Sequence, residues 1–306
     1  MSERFLVTGA LGCIGAWSCA LLAEEGVYVV GYDLGTDDRR LRLATEVHVP
    51  LEQGDIADQA ALERVLDQHE ITHVIHLAAL LLPMIKRDPP YGTAVNIGGT
   101  VNVLDAAKSR GIQVAFASSA AVYSTVDDPG GPVANDADGH PATFYGVHKQ
   151  TCEALARVYW EEEGVASIGI RPFVVYGPGR DNGLTASPTL AMAAAAAGES
   201  SRIAFGGRTQ MQYAPDTARA FIAAARAATE GSRTFHLGGP VVSLAEVATS
   251  IERAAPGVSV EVDEDTRLPF PEDFDGSALE QAIGPVGWTP LDDGVTETIE
   301  RLRASA

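Results

Sequence analysis

The stretch Thr8-Gly9-Ala10-Leu11-Gly12-Cys13-Ile14-Gly15 constrains the fold of this chain more than any other. It follows directly on a short strand-like run, Arg4 to Thr8, and opens a helical stretch, Cys13 to Glu25. Strand, glycine turn and helix in that order are the context a phosphate-binding loop requires. Gly9 permits the tight turn, Gly12 lets the backbone approach a pyrophosphate, and Gly15 lets the helix pack on the sheet. The helix N-terminus, at Cys13 and Ile14, then offers unpaired N–H groups and a positive dipole end to phosphates. Among 31 glycines such a pattern arises by accident, so its weight comes from its place after the first strand.

The rest of the first half alternates β-branched runs with helical ones. Strands read at Arg4–Thr8, Val27–Tyr32, Val47–Val49, His73–Leu77, Gln113–Ala117 and Ser167–Ile170, and helices at Gln59–Gln68, Thr100–Ser109 and Thr143–Glu163. That rhythm implies parallel strands joined by right-handed helical crossovers, an α/β fold with a doubly wound parallel (Rossmann) sheet. Beyond Gly177 it breaks into Gly/Pro-punctuated pieces, with helices at Ser187–Ala197 and Pro215–Ala228 and a strand at Thr234–Leu237. The expected division is a nucleotide-binding domain over 1–175, to which about 205–240 returns, and a smaller, mainly substrate-binding C-terminal lobe over 176–306.

Composition excludes several functions. A formal charge of −19 repels nucleic acids and anionic membranes, and no local basic patch offsets it. The first strand begins within three residues of Met1, and no apolar run reaches membrane-spanning length. Cys13, Cys19 and Cys152 are odd in number and not spaced like metal ligands, so reduced thiols in a cytoplasmic protein are expected. His69-Glu70-Ile71-Thr72-His73 matches a zinc-protease pattern, but His69 ends a helix whereas His73 opens a strand, so the rings cannot share a metal and none is expected.

Asp33 ends the second strand, where a carboxylate accepts hydrogen bonds from ribose hydroxyls and repels a 2′-phosphate. That favours NAD over NADP, although Arg39 and Arg40 nearby keep NADP open, and a turn or cap role is the competing reading. Asp55, in Gly54-Asp55-Ile56 after the third strand, is placed to meet an adenine amine or to serve as a plain turn residue. Tyr145-x-x-x-Lys149 sets a phenol and an ammonium on one helix face. A phenol alone is a poor base at neutral pH, and a neighbouring cation favours the phenolate. Lysine occurs only at Lys86, Lys108 and Lys149. Ser119 lies just past the strand Gln113–Ala117, at the end of a sheet where α/β folds bind ligands. Ser119, Tyr145 and Lys149 together form a proton-transfer group for moving hydride between a carbinol and a nicotinamide.

With these residues in place, the sequence resembles the extended short-chain dehydrogenase/reductase family, the NAD-dependent epimerases and dehydratases. The resemblance covers nearly the whole chain: the glycine loop, Gly54-Asp55, His76-Leu77-Ala78-Ala79, Asn96-Ile97-Gly98-Gly99-Thr100, Tyr145-x-x-x-Lys149, and Arg171-Pro172 leading to Tyr176-Gly177-Pro178-Gly179-Arg180. It implies NAD as cofactor, contacts from Leu77, Ala78, Ala79 and the backbone after Pro172, support of the site by Asn96, and a homodimer built through a four-helix bundle. Thr100–Ser109 and Thr143–Glu163 would form that bundle through Ala154, Leu155, Val158 and Tyr159, unless this stripe packs on the chain's own sheet.

The departures bear on substrate. Ala120 and Ala121 stand where the family's dehydratases carry an acidic residue, which disfavours elimination. Val174 and Thr209 stand where nucleotide-sugar enzymes carry Asn and Arg, with Arg208 one place off. A small-molecule substrate without a nucleotide tail is expected: a sugar, a sugar acid or another small hydroxy compound. Net dehydrogenation leads, with epimerisation and non-catalytic nucleotide sensing as alternatives. Ser119, Ala120, Tyr145, Lys86 and Arg180, with Asp181 and Asn182, are the candidate substrate residues. Arg180 would clamp a carboxylate or sit in a surface ion pair. Leu80, Leu81, Leu82 and Met84 would form an apolar wall or part of the core.

Overall fold

The computed structural model describes residues 2–305. The strands are β1 (Arg4–Thr8), β2 (Tyr28–Asp33), β3 (Leu51–Gln53), β4 (His73–His76), β5 (Val114–Ala117), β6 (Ser167–Arg171), β7 (Val174–Tyr176), β8 (Ser201–Ile203), β9 (Arg208–Tyr213), β10 (Ser232–His236), β11 (Val241–Ser243) and β12 (Val260–Val262). The helices are α1 (Cys13–Glu24), α2 (Arg39–Ala44), α3 (Gln59–Gln68), α4 (Leu82–Arg87), α5 (Pro89–Thr93), α6 (Gly99–Lys108), α7 (Phe144–Glu163), α8 (Ser187–Ala196), α9 (Ala214–Arg226), α10 (Leu244–Ala254), α11 (Ser277–Ile283) and α12 (Leu291–Ala304).

Seven strands form one sheet in the order β10-β6-β5-β4-β1-β2-β3, and every neighbouring pair is parallel. Both faces are covered, which is why its strands are apolar almost throughout. Phe5, Val7, Ile75 and Ile170 pack on one side with Leu22 of α1 and Phe221 of α9. Leu6, Val30, Val74 and Phe116 pack on the other with Leu62, Leu104 and Ala156 of α3, α6 and α7. Since the chain runs from β1 outward to β3 and then returns to β4 on the far side of β1, a crevice opens at the C-terminal ends of β1 and β4.

Local chemistry ends the helices. The Thr143 hydroxyl caps α7 by accepting from the Gly146 N–H at 3.0 Å, and Gly164 stops it at φ 72°. Asp58 caps α3 in the same way.

A second layer surrounds β11-β9-β7 and the pair β12-β8, where Met192, Phe205, Leu244, Ile251 and Ile299 are buried. Helix α9 packs on the seven-stranded sheet and β10 joins its edge beside β6, whereas β9 pairs in the small sheet. The third strand corrects the sequence reading: Val47–Val49 is not a strand, and pairing begins at Leu51, opposite Gly31. Pro50 has no N–H to give the ladder, so it contributes only its carbonyl, to the Gly31 N–H at 2.9 Å, and the strand starts one residue later. His69 lies just beyond α3, Glu70 takes φ 49°, and His73 opens β4, so the two rings sit on different elements.

Candidate active site

The crevice is a cleft of about 900 Å³, lined from the sheet side by the glycine loop and the ends of β2, β4 and β5, and from the small lobe by residues near 173–185 and 269–270. Gly9, Gly12, Cys13, Ile14, Gly15, Asp33, Asp55, Ile56, Leu77, Ala78, Ala79, Ser119, Ala120, Tyr145, Lys149, Pro172 and Arg180 all line it.

At the phosphate end, α1 begins at Gly12 with no side-chain cap, so its first-turn N–H groups face the cleft. A Cβ at Gly15 would collide with the carbonyl oxygen of Gly9, which is why the turn can close this tightly. Asp33 is held by N–H donors from Leu11 at 2.9 Å and Gly35 at 3.0 Å, so its carboxylate has a fixed position. Asp55 accepts from the Ala57 N–H and from the Tyr91 hydroxyl. It therefore serves as a turn residue and also borders the cleft. This geometry fits a dinucleotide, with donors without side chains for the phosphates and a carboxylate for a ribose.

His76 braces the next wall. Thr100 Oγ1 donates to the Asn96 carbonyl at 2.8 Å, so it accepts from His76 Nε2, and His76 Nδ1 in turn accepts from Thr8 Oγ1 at 2.7 Å. Burial, aided by the Lys149 charge, pushes this imidazole down to about 3, so it stays neutral and its tautomer is fixed. The Asn96 amide takes the Leu80 N–H and gives to the Leu80 carbonyl, pinning the chain that follows Ala78 and Ala79. Asn96 thus acts from behind the cleft wall.

At the other end, Ser119 accepts from the Ala121 N–H at 3.1 Å, which leaves its own O–H free to donate. Lys149 is 6% exposed, donates a hydrogen bond to the Ala117 carbonyl at 2.6 Å and lies 5.7 Å from the centre of the Tyr145 ring. Gly146 lets α7 lie close against the turn that carries Ser119, since a Cβ there would strike the Ala121 carbonyl. Beneath, the Arg171–Glu153 ion pair, at 2.7 Å, joins the end of β6 to α7, and Glu153 also takes the Ser118 hydroxyl. Cleft-lining phenol, hydroxyl and ammonium are thereby fixed on one rigid frame.

The sequence profile of the NAD dependent epimerase/dehydratase family matches residues 5–238. The chain belongs to that family. Members similar to it include the UDP-glucose 4-epimerase of Mycolicibacterium smegmatis, 31% identical over 98% of both chains. Against UDP-glucuronate 4-epimerase 6 of Arabidopsis thaliana it is 32% identical over 56% of its length, and the match spans 40% of that relative. Among solved structures, a partial-consensus L-threonine 3-dehydrogenase superposes with a TM-score of 0.85, at 26% identity over 99% of this chain and 100% of the other. The UDP-glucose 4-epimerase of Thermus thermophilus in complex with NAD superposes at 0.83, with 25% identity over 99% and 100%. As an NAD-dependent epimerase/dehydratase family member, the chain takes NAD as its cofactor.

Lys86 and Arg180, both expected at the substrate end, are placed differently. Lys86 does not reach the cleft: α4 turns Leu82, Pro83 and Met84 toward it and Ile85 into the core, and the next position faces solvent. Arg180 lines the cleft and donates to Thr185 Oγ1 at 3.1 Å, but its charge also bears on Cys13 of the glycine loop. Pro269, Phe270 and Leu184 of the small lobe and Tyr91 on the sheet side line the cleft without any motif to mark them, as do the Phe173 ring, next to the Arg171-Pro172 motif, and Arg40. The Leu80, Leu81, Leu82 and Met84 run does form one of its walls.

Arg40 donates to the Leu11 carbonyl at 2.9 Å and to Asp181 at 2.7 Å. Its guanidinium thus stands beside Asp33, whose carboxylate holds the N–H of the same Leu11, yet its charge is already matched. Asp181→Ala should release it toward a 2′-phosphate and tighten NADPH binding about 10-fold. Fluorescence titration with NADPH checks this, and unchanged affinity would show that Asp33 alone selects the cofactor.

Proposed function

We propose that this chain is an NAD-dependent dehydrogenase acting on a secondary alcohol or its ketone in a small hydroxy compound without a nucleotide tail. NAD, when bound, accepts or returns the hydride. Tyr145 exchanges the hydroxyl proton, Ser119 donates to the oxygen as charge develops on it, and Lys149 stabilises the phenolate. The observation that carries this reading is the convergence of Ser119, Tyr145 and Lys149 on the cleft that also holds Asp33 and the glycine loop. Ala120 and Ala121 supply no carboxylate to remove a proton from carbon, which disfavours elimination. Epimerisation uses the same groups and is supported by the UDP-glucose 4-epimerase relative. Steady-state NADH absorbance over a panel of hydroxy compounds separates the two: release of NADH supports the dehydrogenase, and product isomers without NADH support the epimerase.

The assembly we propose is a homodimer through α6 and α7. Along α7, Ala154 is exposed and Leu155, Val158 and Tyr159 are half-buried, Tyr159 packing partly on the chain's own core, so part of the stripe stays open to a partner. Sedimentation at micromolar concentration should give twice the 32.1 kDa chain mass, and a monomer would refute the bundle. The three unpaired cysteines favour a reducing compartment, the cytoplasm. Among the described residues no helix is long and apolar enough to cross a membrane.

A further inference from the structure

The walls around the catalytic hydroxyls carry few hydrogen-bonding groups. Ala120 is bound through its N–H to the Pro172 carbonyl at 2.9 Å, so the turn bearing Ser119 lies against the segment that presents Phe173. The Phe173 ring meets Phe270 edge-on, with centroids 6.0 Å apart, and its backbone N–H is fixed by Gln212 at 2.7 Å. Together with Ala121 and Leu80, which also line the cleft, these side chains make the wall next to Ser119 and Tyr145 apolar.

Three of the polar side chains that the small lobe brings to the cleft, Asp181, Thr185 and Asn182, already make hydrogen bonds, whereas Arg180 keeps a buried Nε without a partner. Asp181 holds Arg40, Thr185 accepts from Arg180, and the Asn182 amide oxygen takes the Gly183 N–H. A polyol or sugar bound here would bury several hydroxyls against carbon, and each unpaired hydroxyl lowers affinity about 10-fold.

We infer that the substrate carries an apolar alkyl or aryl substituent beside the reacting carbinol or carbonyl carbon, seated between Phe173, Phe270 and Ala120. This rests on the hydride-transfer reading above and narrows its substrate class. Of the hydroxy compounds the sequence admits, sugars and polyols are the ones this wall disfavours.

The test uses the NAD-loaded enzyme. Binding of 1-phenylethanol and 2-pentanol is compared calorimetrically with that of erythritol and xylitol, and NADH absorbance is followed in parallel samples. The alkyl and aryl alcohols should bind at least about 10-fold tighter. Phe270→Asn should narrow that ratio at least about 10-fold, and the wild-type ratio stands as the test if the variant does not fold. Polyols binding as well or better, or neither class binding, would overturn the inference. An apolar alcohol that binds and yields no NADH would leave the substrate class standing and count against net dehydrogenation, so the two failures are distinguishable.

Discussion

Tyr145→Phe should lower kcat about 10³-fold while the enzyme binds NAD as the wild type does. The substitution removes one oxygen and keeps the ring, so the contact with Lys149, 5.7 Å from the ring centre, and the helix around it are undisturbed. What is lost is the group proposed to exchange the hydroxyl proton. Ser119 cannot replace it, because a serine hydroxyl donates to a developing alkoxide but is too weak an acid and base to shuttle its proton at neutral pH. Single-turnover kinetics and calorimetric NAD binding, measured on the same preparation, provide the check. Turnover within about 10-fold of wild type would remove Tyr145 from the mechanism.

Glu153→Ala should destabilise the fold by about 3–5 kcal/mol. The side chains of Arg171 and Glu153 are 11% and 13% exposed, so removing the carboxylate strands a cation away from water. The neighbours left to Arg171 are neutral: the Tyr123 hydroxyl at 2.7 Å, the Asn135 carbonyl at 3.3 Å and His236 Nε2 at 3.1 Å. Burial and the Arg171 charge push His236 down to about 3, so it offers a lone pair there and no compensating charge. Urea unfolding of Glu153→Ala measures the loss, and the double variant Glu153→Leu with Arg171→Met should recover most of it, since an apolar pair leaves no charge buried. A loss below about 1 kcal/mol would mean the pair is hydrated and holds little together.

The parts of this site legible in the sequence are those where backbone geometry dictates residue type. Gly9, Gly12 and Gly15 are read from their place after β1, and Tyr145 and Lys149 from helical spacing, because only a few residue types satisfy those positions. Helix α7 could be bounded to within a residue because Thr143 caps it, and β3 was misplaced because Pro50 shifts pairing past the most apolar letters. Lys86 is a candidate in the sequence because it flanks the motifs expected to surround the nicotinamide, yet helix phase, which short α4 leaves ambiguous in sequence, turns it outward. The aromatic wall was not legible at all: Phe173 and Phe270 lie far apart in the chain and meet only because the small lobe folds back over the cleft. Nor could pattern show that Arg40 would be claimed by Asp181, a partner 141 residues away. Local rules thus sufficed to single out the glycine loop, Asp33, Ser119, Tyr145 and Lys149, which line one cleft, whereas its small-lobe wall depended on tertiary contacts.

The most direct trial of the account follows the hydrogen on the carbinol carbon. A turned-over alcohol carrying deuterium at that carbon should keep its label in the dinucleotide or the product, because in the proposed mechanism Tyr145 takes only the hydroxyl proton and the carbon-bound hydrogen leaves as hydride. Appearance of the label in water would mean that a proton is being drawn from carbon, and the roles given to Ser119, Tyr145 and Lys149 would be wrong.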